Sequence, residues 1–185
     1  MLELVALGTD AAAAAAVGSR LGGTVYVNHP EESDRRLFSA MVRVATDDIE
    51  ALASVADIGL YTVFSRQIKA LPGPARAERV VGAFGMIHHP ELTHRQADDH
   101  WRDVHAPLAL HMHAAMCDYT QLSVVGVLSG TALDGIALCA FDSRQDLGTR
   151  FFNDDAARAA IEADVASFAD TSRSLRRVVL TELPA

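Results

Sequence analysis

The run Leu71-Pro72-Gly73-Pro74 constrains this chain more than any other stretch. Two prolines flanking a glycine continue neither a strand nor a helix. The run splits the 185 residues into about 70 and about 110. On both sides the hydrophobic pattern gives the same order of elements. Ahead of the break, Leu2 to Leu7 is a short apolar strand. Asp10 caps a helix from Ala11 to Leu21, which its alanines favour, and Gly22-Gly23 ends it. Thr24 to Val27 is β-prone, and a polar loop follows from Pro30 to Asp34. Leu37 to Val44 is apolar and extended, Thr46 opens a short helix to Ser54, and Asp57 to Arg66 is a strand. Beyond the break, Arg79 to Ile87 suits a buried strand. Thr93 caps a helix carrying Ala97, Trp101, Val104 and Leu108 at spacings of 4, 3 and 4. Pro107 inside that pattern predicts an end or kink near His105, with a second helical stretch towards Met116. Tyr119 to Val127 is a strand, Ser129-Gly130 a turn region and Ile136 to Phe141 a strand. Asp142 to Asp170 is mostly helical, interrupted near Phe151 to Asp154, and Arg176 to Leu180 is the last strand.

The order β-α-β-β-α-β, met twice, predicts an α+β fold of two tandem ferredoxin-like units, residues 1–72 and 76–185. Each unit is a four-stranded antiparallel sheet with helices on one face. Its other face must be covered or stand as a large apolar patch. Packing the two sheets against each other within one chain gives an α+β barrel, the first unit standing in for a partner subunit. The simpler alternative is two unrelated α+β halves, or one mixed sheet. Strand edges left exposed would pair two chains into a homodimer.

Half of the residues are apolar (50%) and 22% are charged. That supplies a packed core and excludes a disordered tail, a collagen-like repeat and a coiled coil. No apolar run approaches the ~20 residues that span a bilayer. With 16 Lys and Arg against 24 Asp and Glu the formal charge is −8, so the average field repels a phosphate backbone and no nucleic-acid partner is expected. Met1-Leu2-Glu3-Leu4 carries no basic leader. Cys117 and Cys139, both in apolar segments, read as two reduced thiols. A soluble, cytosolic protein is expected.

Eight histidines is a high count for this length, and seven of them lie between His88 and His113. Histidine exchanges protons near neutrality, so a cluster at one cavity would be acid–base equipment or a metal site. The spacings argue against metal. His111 and His113 share a direction only in an extended segment. His88 and His89 alternate across a strand. His100 and His105 are five apart, which is poor chelating geometry on a helix. Neither an HExxH nor a Cys/His ligand pattern is present. No metal and no cofactor is expected, and His89, His94 and His111 read as solvated surface. The sharper signal is His100-Trp101-Arg102-Asp103-Val104-His105-Ala106-Pro107. Trp101 and His105 are i and i+4 and share a helix face, which sets an imidazole beside an indole at the edge of an apolar chamber. Ended by Pro107, the helix would place His105 near unpaired carbonyls that favour its protonated form. The blander reading is a core tryptophan with a satisfied histidine.

Residues Arg79 to Glu182 resemble the EthD family of the dimeric α+β barrel superfamily, through Trp101, His105, Pro107, Tyr119 and Gln121 and the later Phe151-Phe152, Asp164 and Phe168. The first unit lacks the motif and resembles a degenerate copy, which implies one active cavity. The resemblance implies an apolar cavity between sheet and helices, with one or two proton-transfer residues. Relatives in the superfamily include cofactor-free cyclases, decarboxylases, dehydratases, isomerases, quinone-forming monooxygenases and haem-handling proteins, so the fold does not decide the reaction.

Both lines meet in a cofactor-independent lyase, cyclase or isomerase acting on an apolar, carbonyl-bearing, aromatic or polyketide-like small molecule. His105 is the expected base, with Tyr119 or His88 donating to the developing enolate oxygen. Trp101, His100, His113, Phe141 and Phe152 are the expected substrate contacts. Asp118 either orients a histidine or begins a strand. The alternatives are an oxidoreductase in the same cavity, cofactor-free or haem-linked, and a non-catalytic carrier or pathway scaffold. The cavity is expected to be roofed by the first unit.

Overall fold

Strands buried on both faces explain the nearly continuous apolar runs at each strand position. In β1 (Leu2–Gly8), Val5 and Leu7 belong to one buried cluster while Leu4 and Ala6 belong to another. A computed structural model describes residues 1–31, 37–70, 79–175 and 177–184. The Leu71–Pro74 break, the boundary between residues 72 and 76, most of the Pro30–Asp34 loop and Arg176 lie outside the described residues. After β1 come α1 (Ala11–Leu21), β2 (Thr24–Asn28), β3 (Ala40–Val44), α2 (Ile49–Ala53) and β4 (Gly59–Lys69). The second half runs β5 (Val80–Met86), α3 (His94–His100), a π-helical turn (Trp101–His105), α4 (Ala106–Met112), β6 (Met116–Gly130), β7 (Gly135–Phe141), α5 (Arg144–Thr149), α6 (Asp155–Phe168) and β8 (Val178–Glu182).

The eight strands close into one barrel in the order β1-β3-β2-β8-β5-β7-β6-β4. Every neighbouring pair is antiparallel. Each half therefore contributes four adjacent strands, β4-β1-β3-β2 and β8-β5-β7-β6. Two seams join them. β2 meets β8 with Val27 opposite Thr181, and β4 meets β6 with Val63 opposite Val124. Closure gives every strand two neighbours, so the edge-strand route to a homodimer is absent among the described residues.

Side chains from both halves fill the barrel, among them Leu7, Tyr26, Met41, Tyr61, Leu122 and Leu180. This corrects the expectation of a hollow roofed by the first half: the space between the halves is core. The helices cover the outside. α1 and α2 pack on the outer face of the first half, and α4, α5 and α6 on that of the second. No described helix is long and apolar enough to cross a membrane. The helical stretch after Pro107 stops at Met112, and Met116 already belongs to β6.

Candidate active site

Pro107 shapes the site. It has no N–H, and its ring would crowd the carbonyl one α-turn earlier. The helix answers by widening instead of ending. Thr93 opens α3 with a capping box to Gln96. The chain then makes a π turn in which the Ala106 N–H donates to the Trp101 carbonyl, and α4 follows with Pro107 in its first turn. Trp101 and His105 are both buried on this turn. The helix runs on through His105 into α4, so the ring does not stand at a helix end, contrary to expectation. Trp101 approaches β7 closely because residue 135 is glycine: a Cβ there would stand 2.5 Å from the indole Cζ3.

Between the outer face of β5, β6 and β7 and the helices α4 and α6 lies a cavity of about 570 Å³. Every described residue lining it comes from the second half, Phe84 being the first in sequence. Phe84, Trp101, Phe151, Phe152 and Phe168 make its walls aromatic, and His105, His113 and Tyr119 supply polar atoms.

His105 is held by a carboxylate. Its Nδ1 lies 2.7 Å from Asp164 Oδ2, and His100 Nε2 lies 2.8 Å from Asp164 Oδ1. Burial works against the Asp164 charge, but the bonds from His105 and His100 outweigh it and hold its pKa below the ordinary carboxylate value. An ionised Asp164 only accepts, so Nδ1 of His105 carries a proton, and in the neutral ring the lone pair is on Nε2. Phe168 packs against both imidazoles, with ring centroids at 5.1 Å from His100 and 5.3 Å from His105. His113 repeats the pattern with a neutral partner, its Nδ1–H donating to the Phe151 carbonyl at 2.5 Å. Burial pushes the His113 pKa down, the carbonyl pulls it back up, and the nearby His105 lowers it further, leaving it below the ordinary value.

Tyr119 is fully enclosed, and burial pushes its pKa up, so it stays a phenol. Its oxygen accepts from Trp101 Nε1–H at 3.2 Å and from Gln121 Nε2–H at 3.0 Å. The Gln121 amide is fixed in that sense because the same nitrogen donates to the Trp101 carbonyl at 2.9 Å. With both lone pairs of the phenol engaged, its own proton is left to donate.

Of the residues expected at the site, His105, Tyr119, Trp101, His113 and Phe152 line the cavity together. His88, His100 and Phe141 do not. His88 sits at the end of β5, where its ring Nδ1 and backbone N–H both meet Asp134 Oδ2 at 2.7 Å, while His94 Nδ1 meets Oδ1 of the same carboxylate at 2.9 Å. His100 stands behind Asp164, and Phe141 stands behind Phe151 with ring centroids 5.6 Å apart. Asp118 lies on β6, where it meets Gln67 and Arg79. Sequence reasoning gave no role to Asp164, although it interrupts an otherwise apolar stripe on α6 with Ile161, Val165 and Phe168 at helical spacing. A carboxylate in such a stripe needs a partner, and that is the signal that would have found it. No three His, Cys, Asp or Glu side chains are grouped to hold a metal ion among the described residues.

Residues 89–172 match the model of the EthD domain. No curated protein matches the chain. Among solved structures, an anthrone oxidase-like protein is 13% identical at a TM-score of 0.59, over 99% of this chain and 90% of that one. A Fusobacterium nucleatum subsp. nucleatum protein described as a monooxygenase is 7% identical at 0.59, over 99% and 92%. A mutant chlorite dismutase from Candidatus Nitrospira defluvii is 12% identical at 0.53, over 99% and 90%. At these identities the likeness is one of fold, an α+β barrel.

Proposed function

We propose, for a chain whose residues 89–172 are an EthD domain, that the cavity is the active site of a cofactor-independent enzyme. Its base is His105, and its substrate is an apolar, carbonyl-bearing aromatic or polyketide-like molecule. The observation that carries this reading is the His105–Asp164 pair at 2.7 Å on the wall of an aromatic cavity. Nε2 of His105 withdraws a proton next to the substrate carbonyl. Asp164 holds the ring in the productive tautomer and balances the imidazolium that forms. The Tyr119 hydroxyl donates to the enolate oxygen as charge grows there, and Trp101 stacks on the aromatic part. The enolate then closes a ring, expels a leaving group or is reprotonated elsewhere. We further infer that the two halves are tandem ferredoxin-like units, the first a degenerate copy without a site of its own, and that the protein works in the cytosol.

A second reading shares the first step. The fold neighbours described as anthrone oxidase-like and as a monooxygenase favour oxygen as the acceptor. The carbanion made by His105 then reacts with O2, and a CH2 group becomes C=O with release of one water. Anthrone, offered to the purified protein, separates the readings. Oxygen uptake with a quinone product supports oxidation, while turnover of other carbonyl substrates without oxygen supports the lyase, cyclase or isomerase reaction. A Soret band would show a haem-linked version. His105→Ala is expected to reduce turnover by roughly 10³-fold while ligand binding stays nearly intact. Tight binding with no product by mass spectrometry, or a His105→Ala variant as active as the parent, would overturn the catalytic reading.

A further inference from the structure

Arg66 belongs to β4, in the half whose described residues line none of the cavity, yet its guanidinium lies on the second half's helix. Its Nη1 and Nη2 donate to the two Asp98 oxygens on α3 at 2.9 and 2.5 Å. The pair is nearly closed to solvent, with side chains 12% and 18% exposed. Its Cζ stands 5.5 Å from the centroid of the Trp101 ring. Across the seam from β4 to β6, Arg66 is opposite Gln121, whose amide nitrogen holds both the Trp101 carbonyl and the Tyr119 hydroxyl.

We propose that Arg66 is a positioning residue of the cavity. It fixes the Trp101 indole and, through the indole N–H, the Tyr119 hydroxyl, so that the phenol proton is free to meet a ligand. The proposal rests on the reading of Tyr119 as a donor to the bound molecule. Its physical basis is the geometry of arginine. A planar guanidinium pairs with a carboxylate in two parallel bonds and still offers a face to an aromatic ring, and a cation held over an indole is attracted by the ring's negative face. Asp98 anchors the arrangement. Burial opposes its charge, but the bonds from Arg66 keep its pKa below the ordinary carboxylate value, so the anchor is ionised at neutral pH. Such a pair tolerates poorly the loss of one member, because the other is then left nearly buried without its counter-charge.

The chain contains one tryptophan, so its intrinsic emission reports Trp101 alone. Arg66→Met, Arg66→Lys and Asp98→Asn are compared with the parent by emission maximum, by acrylamide quenching and by titration with 2-naphthol as the cavity probe. Arg66→Met is expected to shift the emission to the red, to raise acrylamide quenching and to weaken 2-naphthol binding about tenfold, with an unchanged far-UV spectrum. Arg66→Lys recovers only part of each change, since an ammonium offers neither the fork nor the face. An Arg66→Met protein with the parent's emission and quenching overturns the proposal and leaves Arg66 as an ion pair of the seam. Should Arg66→Met not fold, Asp98→Asn decides. It keeps the guanidinium and removes its anchor, so a smaller shift of the same sign is expected, and no shift overturns the proposal. None of these measurements needs turnover. A parent protein without catalytic activity therefore counts against the reaction and not against Arg66.

Discussion

The two halves of the barrel share a strand order and cover their outer faces with helices, and among the described residues the aromatic hollow lies under the helices of the second. The difference lies in the size of the residues at the contact. In the first half, α1 meets the sheet with Ala11, Ala13, Ala14 and Ala15, and with Val17 and Leu21. It also meets it with Gly18, where a Cβ would stand 2.2 Å from the Val25 side chain. A contact made mostly of small side chains brings the helix close to the strands. In the second half, Trp101 on the π turn, Phe168 at the end of α6, and Phe151 and Phe152 in the connection between α5 and α6 stand between helices and sheet. These rings are far larger than the alanines of α1, and about 570 Å³ stays open among them. One architecture thus gives a packed layer or a binding site according to side-chain volume, without any change of topology.

The sharpest break in that comparison is electrostatic. The second half buries a carboxylate between two imidazoles, whereas Glu3, the buried carboxylate of the first half, meets the Arg43 guanidinium at 3.0 Å. Asp164→Asn should therefore be nearly silent in the fold and severe in function. The amide can donate as well as accept, so it stabilises the tautomer in which His105 carries its proton on Nε2, where a base needs a lone pair. Turnover is expected to fall by about 10³-fold, close to 4 kcal/mol of transition-state stabilisation, with KM and thermal midpoint little changed. Steady-state kinetics beside a melting curve checks it. Equal activity in the two proteins would dissociate Asp164 from the chemistry.

The packing contrast makes a paired prediction of intermediate size. Gly18→Leu puts a side chain where α1 touches Val25 and should cost about 2 kcal/mol in urea unfolding, because a tight layer cannot take it. Ala137→Leu adds a similar volume on β7, at the wall of the cavity, and should change stability by less than about 1 kcal/mol because the space is already there. The second variant should instead lose binding of aromatic probes. If both substitutions cost the same, the hollow is not available volume and the comparison fails.

Legibility followed the same division. The architecture could be read because strand and helix periods, caps and breakers are local. Asp10 caps α1 and Gly22 ends it in the left-handed region as the pattern predicts, and Thr93 caps α3 as expected. Trp101, His105, His113, Tyr119 and Phe152 could be placed at a cavity because they lie on one helix and on elements beside it. What could not be read was long-range or depended on a balance. The partner of His105 is 59 residues away on α6, and helix spacing says nothing about which elements meet. The cavity lies between sheet and helices, as the resemblance implied, but its roof was misjudged because a sheet with two apolar faces does not say which face is filled. Only side-chain volumes on the opposing layer decide that. Pro107 was read as a stop, but a π turn relieves the same clash while the helix continues. His88 was drawn away by Asp134, a carboxylate in the loop between β6 and β7.

The smallest predicted effect concerns pH. Only His29 of the eight histidines lies in the first half, where its ring accepts from the Glu31 N–H in a loop. In the second half, His113 is buried and its folded-state pKa lies below the ordinary 6.5, with burial the largest cause. The unfolded chain therefore binds the His113 proton more readily than the folded one. The contribution of the neutral ring to stability is complete above about pH 6.5 and is lost as pH falls through the lower folded value. For one group the slope cannot exceed ~1.4 kcal/mol per pH unit, and bonds to the Phe151 carbonyl temper it. His113→Gln removes the titrating group and should flatten the fall in unfolding free energy between pH 7 and pH 5, relative to the parent, by a fraction of that limit. Urea titrations at several pH values compare the two proteins. A parallel fall in the parent and His113→Gln would mean that the acid sensitivity of the barrel arises elsewhere, and that the second half gains its hollow without burying a proton acceptor that costs stability.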